Sequence, residues 1–171
     1  MTQLKTIIAF LLLPAFVACG YHLLGKEVNL PGGVKKVYVE TARNKTMESG
    51  LEQIFTQKLM EHLRADGRVN LVNKSEAEAI LRSELIQSEV HPLAFDKFGR
   101  VILQEIEISA NVMLIATREN KTLWNSGIIR EREQYPVSDD FLRNDQLRRG
   151  ALIQASQRLS RTIVEMLTSD F

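Results

Sequence analysis

Residues 100–116 read Arg-Val-Ile-Leu-Gln-Glu-Ile-Glu-Ile-Ser-Ala-Asn-Val-Met-Leu-Ile-Ala. Ile102, Ile106, Ile108, Ala110, Val112, Leu114 and Ala116 share one parity, with Gln104 as the polar exception. Glu105, Glu107, Ser109 and Asn111 fall on the other. A period of two over this length predicts a long strand with one face buried and one face solvated. The stretch before it, Ala79–Val90, reads as a second long strand. His91–Gly99 (HPLAFDKFG) lies between them, and its Pro, Asp and Gly are turn residues, so the two strands form a hairpin. A further strand, Lys121–Tyr135, follows a turn near Arg118–Asn120.

Helical patterns flank these strands. Leu51, Ile54, Phe55, Leu59 and Leu63 recur at helical spacing over about residues 50–65. Ser49 and Glu52 fit a capping box at its start, and Asp66-Gly67 fits its stop. Leu147, Ala151, Ala155, Leu159, Ile163 and Leu167 step by four over about residues 144–168, widened by Leu152 and Met166. Asn144 or Ser138 is the predicted cap. Arg148, Arg149, Arg158 and Arg161 lie off that stripe. Upstream, Val34–Glu40 (VKKVYVE) predicts a first strand, Thr41–Thr46 a polar connection, and Val69–Val72 a short strand. The fold class is therefore α+β, ordered β-α-β-β-β(-β)-α, with a mostly antiparallel or mixed sheet and both helices on one face.

The chain has 171 residues, 44% hydrophobic and 25% charged, the composition of a globular domain. Its beginning is different. Lys5 precedes an apolar run, Ile7–Leu13, that continues past Pro14 to Val17 and is too short to span a membrane. Ala18 then precedes Cys19, the one cysteine of the chain. Residues 1–18 read as a lipoprotein signal peptide and Cys19 as the lipid attachment site. Several acyl chains on one residue give stable anchoring. Residues 19–33, with Gly20, Gly25, Pro31, Gly32 and Gly33, read as a lipidated tether, and residues 34–171 as a single domain. Without Lys5, the 22 cationic side chains fall to 21, equal to the 21 acidic ones. That balance argues against nucleic-acid binding, so an anionic ligand needs a local basic patch.

Chemical motifs are few. His22, His62 and His91 are the only histidines, and no two have metal-ligand spacing. Asp139-Asp140 precedes a helix, where carboxylates favour the helix dipole. Trp124 shares strand parity with Ile128 and reads as core. Arg130-Glu131-Arg132-Glu133 reads as an exposed cross-strand charge ladder. The reading is of a protein without catalytic residues, cofactor or metal.

The mature opening, Cys19-Gly20-Tyr21-His22-Leu23, followed by Leu30-Pro31 before the first strand, resembles the LPS-assembly lipoprotein family LptE. The order of elements through the closing helix fits as well. Leu24 departs from it, since the family often carries Arg there. The resemblance implies a lipid-anchored outer-membrane protein that plugs the LptD β-barrel and binds lipopolysaccharide. Gly20 is not the Asp that signals inner-membrane retention, which fits outer-membrane sorting. The resemblance also implies a basic residue at the hairpin, for which Lys97 and Arg100 are the candidates. A second is implied near the start of the last helix, for which Arg143 is the best match, with Arg148 and Arg149 one turn on. Guanidinium and ammonium groups suit the phosphates of such a ligand. Leu93, Phe95 and Phe98 in the same loop supply apolar contact, either to lipid or to barrel strands. The alternative is an accessory lipoprotein of another envelope transport or assembly complex.

Overall fold

A computed structural model describes residues 30–169. Cys19, residues 1–18 read above as a signal peptide, and residues 19–29 of the stretch read as a tether lie outside the described residues. The elements are β1 (Lys36–Val39), β2 (Arg43–Asn44), α1 (Leu51–Asp66), β3 (Asn70–Leu71), β4 (Ala79–Phe95), β5 (Val101–Ala116), β6 (Thr122–Pro136) and α2 (Phe141–Ser169). The sheet runs β3-β1-β4-β5-β6, with β2 also on β4. β1 is parallel to β3 and β4, and β2 is parallel to β4; β4, β5 and β6 are antiparallel neighbours. The α+β class and the mixed sheet thus agree with the sequence reading.

Alternation decides which face is covered. Ile106, Ile108, Ala110, Val112 and Leu114 of β5 are fully buried. They join Ala79, Leu81 and Leu85 of β4, Phe55, Leu59 and Leu63 of α1, and Ala155, Leu159, Ile163 and Leu167 of α2 in one core. Both helices therefore pack on the same face. Arg68 donates to the carbonyl of Thr168 at 2.8 Å and so covers the end of α2.

Several local expectations need correction. The Ser49/Glu52 capping box does not form: Gly50, at φ 83°, takes the cap position without a side-chain bond. The Glu52 carboxylate instead accepts from the Asn44 amide at 2.8 Å. Gly67 does close α1, at φ 75°, its N–H donating to Leu63 O at 3.3 Å. β4 continues through His91–Phe95, which the sequence reading assigned to the loop. Pro92 is tolerated there because β1 and β2 reach only as far as Leu85, leaving β4 with an open edge beyond it. In β6, Trp124 is core but Ile128 is not. Gly127 at φ 66° and a register shift put Ile128 on the opposite face, while Ser126 Oγ accepts the Val112 N–H at 3.0 Å.

The 130–133 ladder is two-sided. Arg130 and Arg132 face outward and meet Glu107 and Glu105 of β5, with Arg132 Nε 2.6 Å from Glu107. Glu107 in turn raises the Arg132 pKa, chiefly through that hydrogen bond. Glu131 and Glu133 face the helices and pair with Arg158 of α2.

Candidate functional site

The β4–β5 hairpin and the start of α2 lie at the same end of the sheet. Leu103 of β5 pairs with Pro136 of β6, and the Val137 N–H donates to Ile102 O at 3.0 Å. α2 begins four residues later, at Phe141, so it starts from the same end of the sheet as the hairpin.

The hairpin turn is organised by Asp96. Its Oδ1 accepts the N–H groups of Phe98 (2.8 Å) and Arg100 (2.9 Å), while Oδ2 accepts from Arg100 Nε at 2.8 Å. The backbone hydrogen bond from Arg100, first, holds the Asp96 pKa below its ordinary value. Gly99 takes φ 80°, a conformation that suits glycine. The turn lifts the Phe98 ring clear of the sheet. Lys97 Nζ lies 4.9 Å from its centroid and Arg100 Cζ 5.8 Å.

The start of α2 is capped by Asp140, not by Asn144 or Ser138. Asp140 Oδ1 accepts the Arg143 N–H at 2.8 Å, and Asp140 O accepts the first helical N–H, from Asn144, at 2.9 Å. Asn144 and Ser138 are used just outside: Ser138 N donates to Asn144 Oδ1 and Asp140 N to Ser138 Oγ. The helix therefore starts three residues earlier than read from sequence, and Phe141 and Leu142 stand on its exposed first turn.

The outcome is an apolar end. Phe98 is 72% exposed, Phe141 83%, Leu142 71% and Phe95 56%. Leu93 and Ile102 are exposed beside them. Sequence reading found Leu93, Phe95 and Phe98 but missed Ile102, Phe141 and Leu142. The position of Phe141-Leu142 directly after the Asp139-Asp140 pair was the available signal. Lys97 and Arg143 make no ion pair among the described residues, whereas Arg100 is bound to Asp96.

Arg148 and Arg149 are placed differently. Arg148 donates to the Glu48 carboxylate and lies 3.5 Å from Asp145. Beneath it is the Tyr135 ring, whose buried hydroxyl has its pKa pushed up by desolvation, with Arg148 pulling it down and Glu48 pushing it up. Arg149 is exposed, 3.7 Å from Asp145. Glu48, Arg148 and Arg149 line a shallow cleft with Met47, Leu51 and Leu152.

Among the described residues, no set of three His, Cys, Asp or Glu side chains converges as a metal site, and no helix is long and apolar enough to cross a membrane. His62 is half-buried on α1. His91 lies 3.4 Å from Glu89 on the outer face of β4.

A mixed sheet backed by two helices is a fold shared with solved bacterial lipoproteins. The chain is similar to a minor lipoprotein from Acinetobacter baumannii (14% identity, TM-score 0.56, covering 80% of this chain and 92% of that one). It is similar also to lipoprotein B from Nitrosomonas europaea (21% identity, TM-score 0.53, 88% and 94%). The PelC dodecamer from Paraburkholderia phytofirmans shares the fold too (15% identity, TM-score 0.52, 80% and 90%). At these identities the likeness concerns the fold alone. No curated protein matches the chain by sequence. The family model LptE, described as lipopolysaccharide-assembly, matches residues 34–167. The chain belongs to the LptE family.

Proposed function

We propose that this protein is held in the outer membrane by a lipid on Cys19, occupies the lumen of an LptD-type β-barrel, and binds lipopolysaccharide during its assembly in the outer leaflet. Its role is structural and binding, without catalysis, cofactor or nucleic acid. Family membership supports the class of process. The observation that carries the proposal is the end of the sheet where exposed Phe95 and Phe98 of the hairpin lie with Lys97 and Arg100, and where α2 starts with exposed Phe141, Leu142 and Arg143. A ligand with acyl chains beside phosphates presents the complementary chemistry. In this reading Lys97, Arg100 and Arg143 meet phosphate, Arg149 extends the rim, and Arg148 holds α2 in place through Glu48.

Two measurements test it. Isolation of the protein from detergent-solubilised outer membrane should bring a large β-barrel with it, and isolation alone would end the plug reading. Lipopolysaccharide binding should weaken at least tenfold in the combined variant Lys97→Glu, Arg100→Glu, Arg143→Glu while its circular dichroism stays unchanged. Unaltered affinity would remove the basic rim from the site.

A further inference from the structure

At the hairpin tip, Asp96 holds Arg100 by both its backbone and its side chain. Asp96 N donates to Arg100 O at 2.9 Å, and Asp96 Oδ1 accepts the Arg100 N–H at 2.9 Å. The second carboxylate oxygen, Oδ2, accepts from Arg100 Nε at 2.8 Å. With backbone and side chain bound to one residue inside one turn, the guanidinium has little freedom left. Arg82 and Arg132 are also held through Nε, by Glu40 and Glu107, but those pairs lie across neighbouring strands. Among the described residues neither of them stands over an aromatic ring, whereas Arg100 and Lys97 share the ring of Phe98.

The Asp96–Arg100 pair is lopsided. The Asp96 side chain is 18% exposed and that of Arg100 66%, so an approaching anion meets the guanidinium before the carboxylate. Only Nε is used on Asp96. The two Nη amino groups, which carry the remaining N–H donors of the guanidinium, make no hydrogen bond or ion pair among the described residues. A phosphate is gripped best by two parallel N–H···O bonds from such a fork, which fixes the angle of approach. A long side chain already held in place also loses less freedom on binding than a free one.

We propose that Asp96 is a positioning residue of the lipopolysaccharide site: it holds Arg100 so that the free Nη groups, with Lys97, present donors to a ligand phosphate beside the Phe98 ring. This deepens the proposed function and rests on its lipopolysaccharide reading. Asp96 touches no ligand; it acts through Arg100. Its negative charge by itself opposes anion binding and leaves the turn, with Lys97 and Arg100, one net positive charge. The site thus gains geometry and gives up charge, and the two effects predict opposite outcomes when the carboxylate is neutralised.

The test measures binding of lipopolysaccharide, and of the same lipopolysaccharide stripped of its phosphates, to the full chain in detergent at about 0.15 M salt. Asp96→Asn keeps an oxygen for the Phe98 and Arg100 N–H groups but removes the acceptor for Arg100 Nε. It should bind the phosphorylated ligand several-fold more weakly, although it adds a positive charge, and the stripped ligand as before. Arg100→Lys keeps the charge without the fork and should lose about as much. The two changes combined should lose little more than either alone, since each removes the same oriented fork. Equal or tighter binding by Asp96→Asn, an equal loss for both ligands, or additive losses in the combined variant would each overturn the proposal. A second measurement needs no variant: the Arg100 Nε–H of the unaltered protein should exchange slowly with water before and after lipopolysaccharide is added. Fast exchange in either state would overturn the proposal as well. If the unaltered protein binds no lipopolysaccharide, the proposed function and this inference fall together, whereas binding that is indifferent to Asp96→Asn overturns this inference alone.

Discussion

The Arg148 guanidinium donates to the carboxylate of Glu48, 100 residues earlier in the chain, and so joins α2 to the loop that starts α1. Both groups are half-buried against Tyr135, which is itself 3% exposed. Removing Arg148 leaves Glu48 partly desolvated with no cation of its own. Arg148→Ala should therefore cost about 1–2 kcal/mol, more than an exposed pair and less than a fully buried one. The corresponding fall in melting temperature is roughly 2–8 °C for a domain of this size. Arg149→Ala, which removes an exposed side chain, should stay within about 0.5 kcal/mol. Thermal unfolding of both variants checks the contrast, and equal effects would deny Arg148 its clamping role.

Aromatic residues divide sharply between core and hairpin end. Phe55 is fully buried beneath α1, whereas Phe98 is 72% exposed. Phe55→Ala should lose about 3–5 kcal/mol through lost transfer energy and the cavity left behind. Phe98→Ala and Phe141→Ala should leave stability within about 0.5 kcal/mol. They should still weaken lipopolysaccharide binding or barrel co-purification. Denaturant unfolding together with a binding measurement separates the two groups. A large stability loss at Phe98 would make the hairpin end a packing element, not a contact surface.

The long strands were legible because one-sided burial enforces a period of two, and α1 and α2 because their apolar stripes match the helical repeat. What escaped has physical causes. Parity says which face a residue occupies but not how far the covering layer extends, so Ile102 read as core although α2 does not cover it. The loop around Pro92 was read from its residue types, which cannot show that β4 has lost its neighbour on that side. Gly50 pre-empted the Ser49 cap by adopting a left-handed conformation. At the site, Lys97, Arg100 and the aromatic pair Phe95 and Phe98 were visible as a local cluster. The division of labour between Arg143 and Arg148 was not, because it depends on Glu48, far away in sequence.

The hairpin turn should respond to acid through Asp96. The Arg100 and Phe98 N–H groups favour its ionised form, so its pKa in the folded chain is depressed below the ordinary value of 3.8. A depressed carboxyl pKa stabilises the turn above the unfolded pKa, and that contribution disappears as pH falls through the folded value. The Phe98 and Arg100 amide resonances should accordingly hold steady from neutral pH down to about 4 and move together below it. In Asp96→Asn that shared step should vanish. An inflection above the ordinary value would show that the carboxylate does not hold the turn.

Arg158 holds three consecutive residues of β6 at once. It pairs with Glu131 and Glu133 and also donates to the Arg132 carbonyl on the open edge of the sheet. Glu131 keeps a second donor, the Thr162 hydroxyl at 3.0 Å, whereas Glu133 depends on the guanidinium. Arg158→Ala should cost about 1 kcal/mol, since the group is partly solvated. Arg158→Glu should cost more, because it sets a third carboxylate beside the other two. Adding Glu133→Arg to Arg158→Glu restores an opposite pair and should recover part of the loss, giving a coupling of at least about 0.5 kcal/mol in the double-mutant cycle. Denaturant midpoints of the four proteins measure that coupling. Strict additivity would mean that the charges on β6 and α2 do not interact, and that the alternation at 130–133 serves only to keep the edge strand soluble.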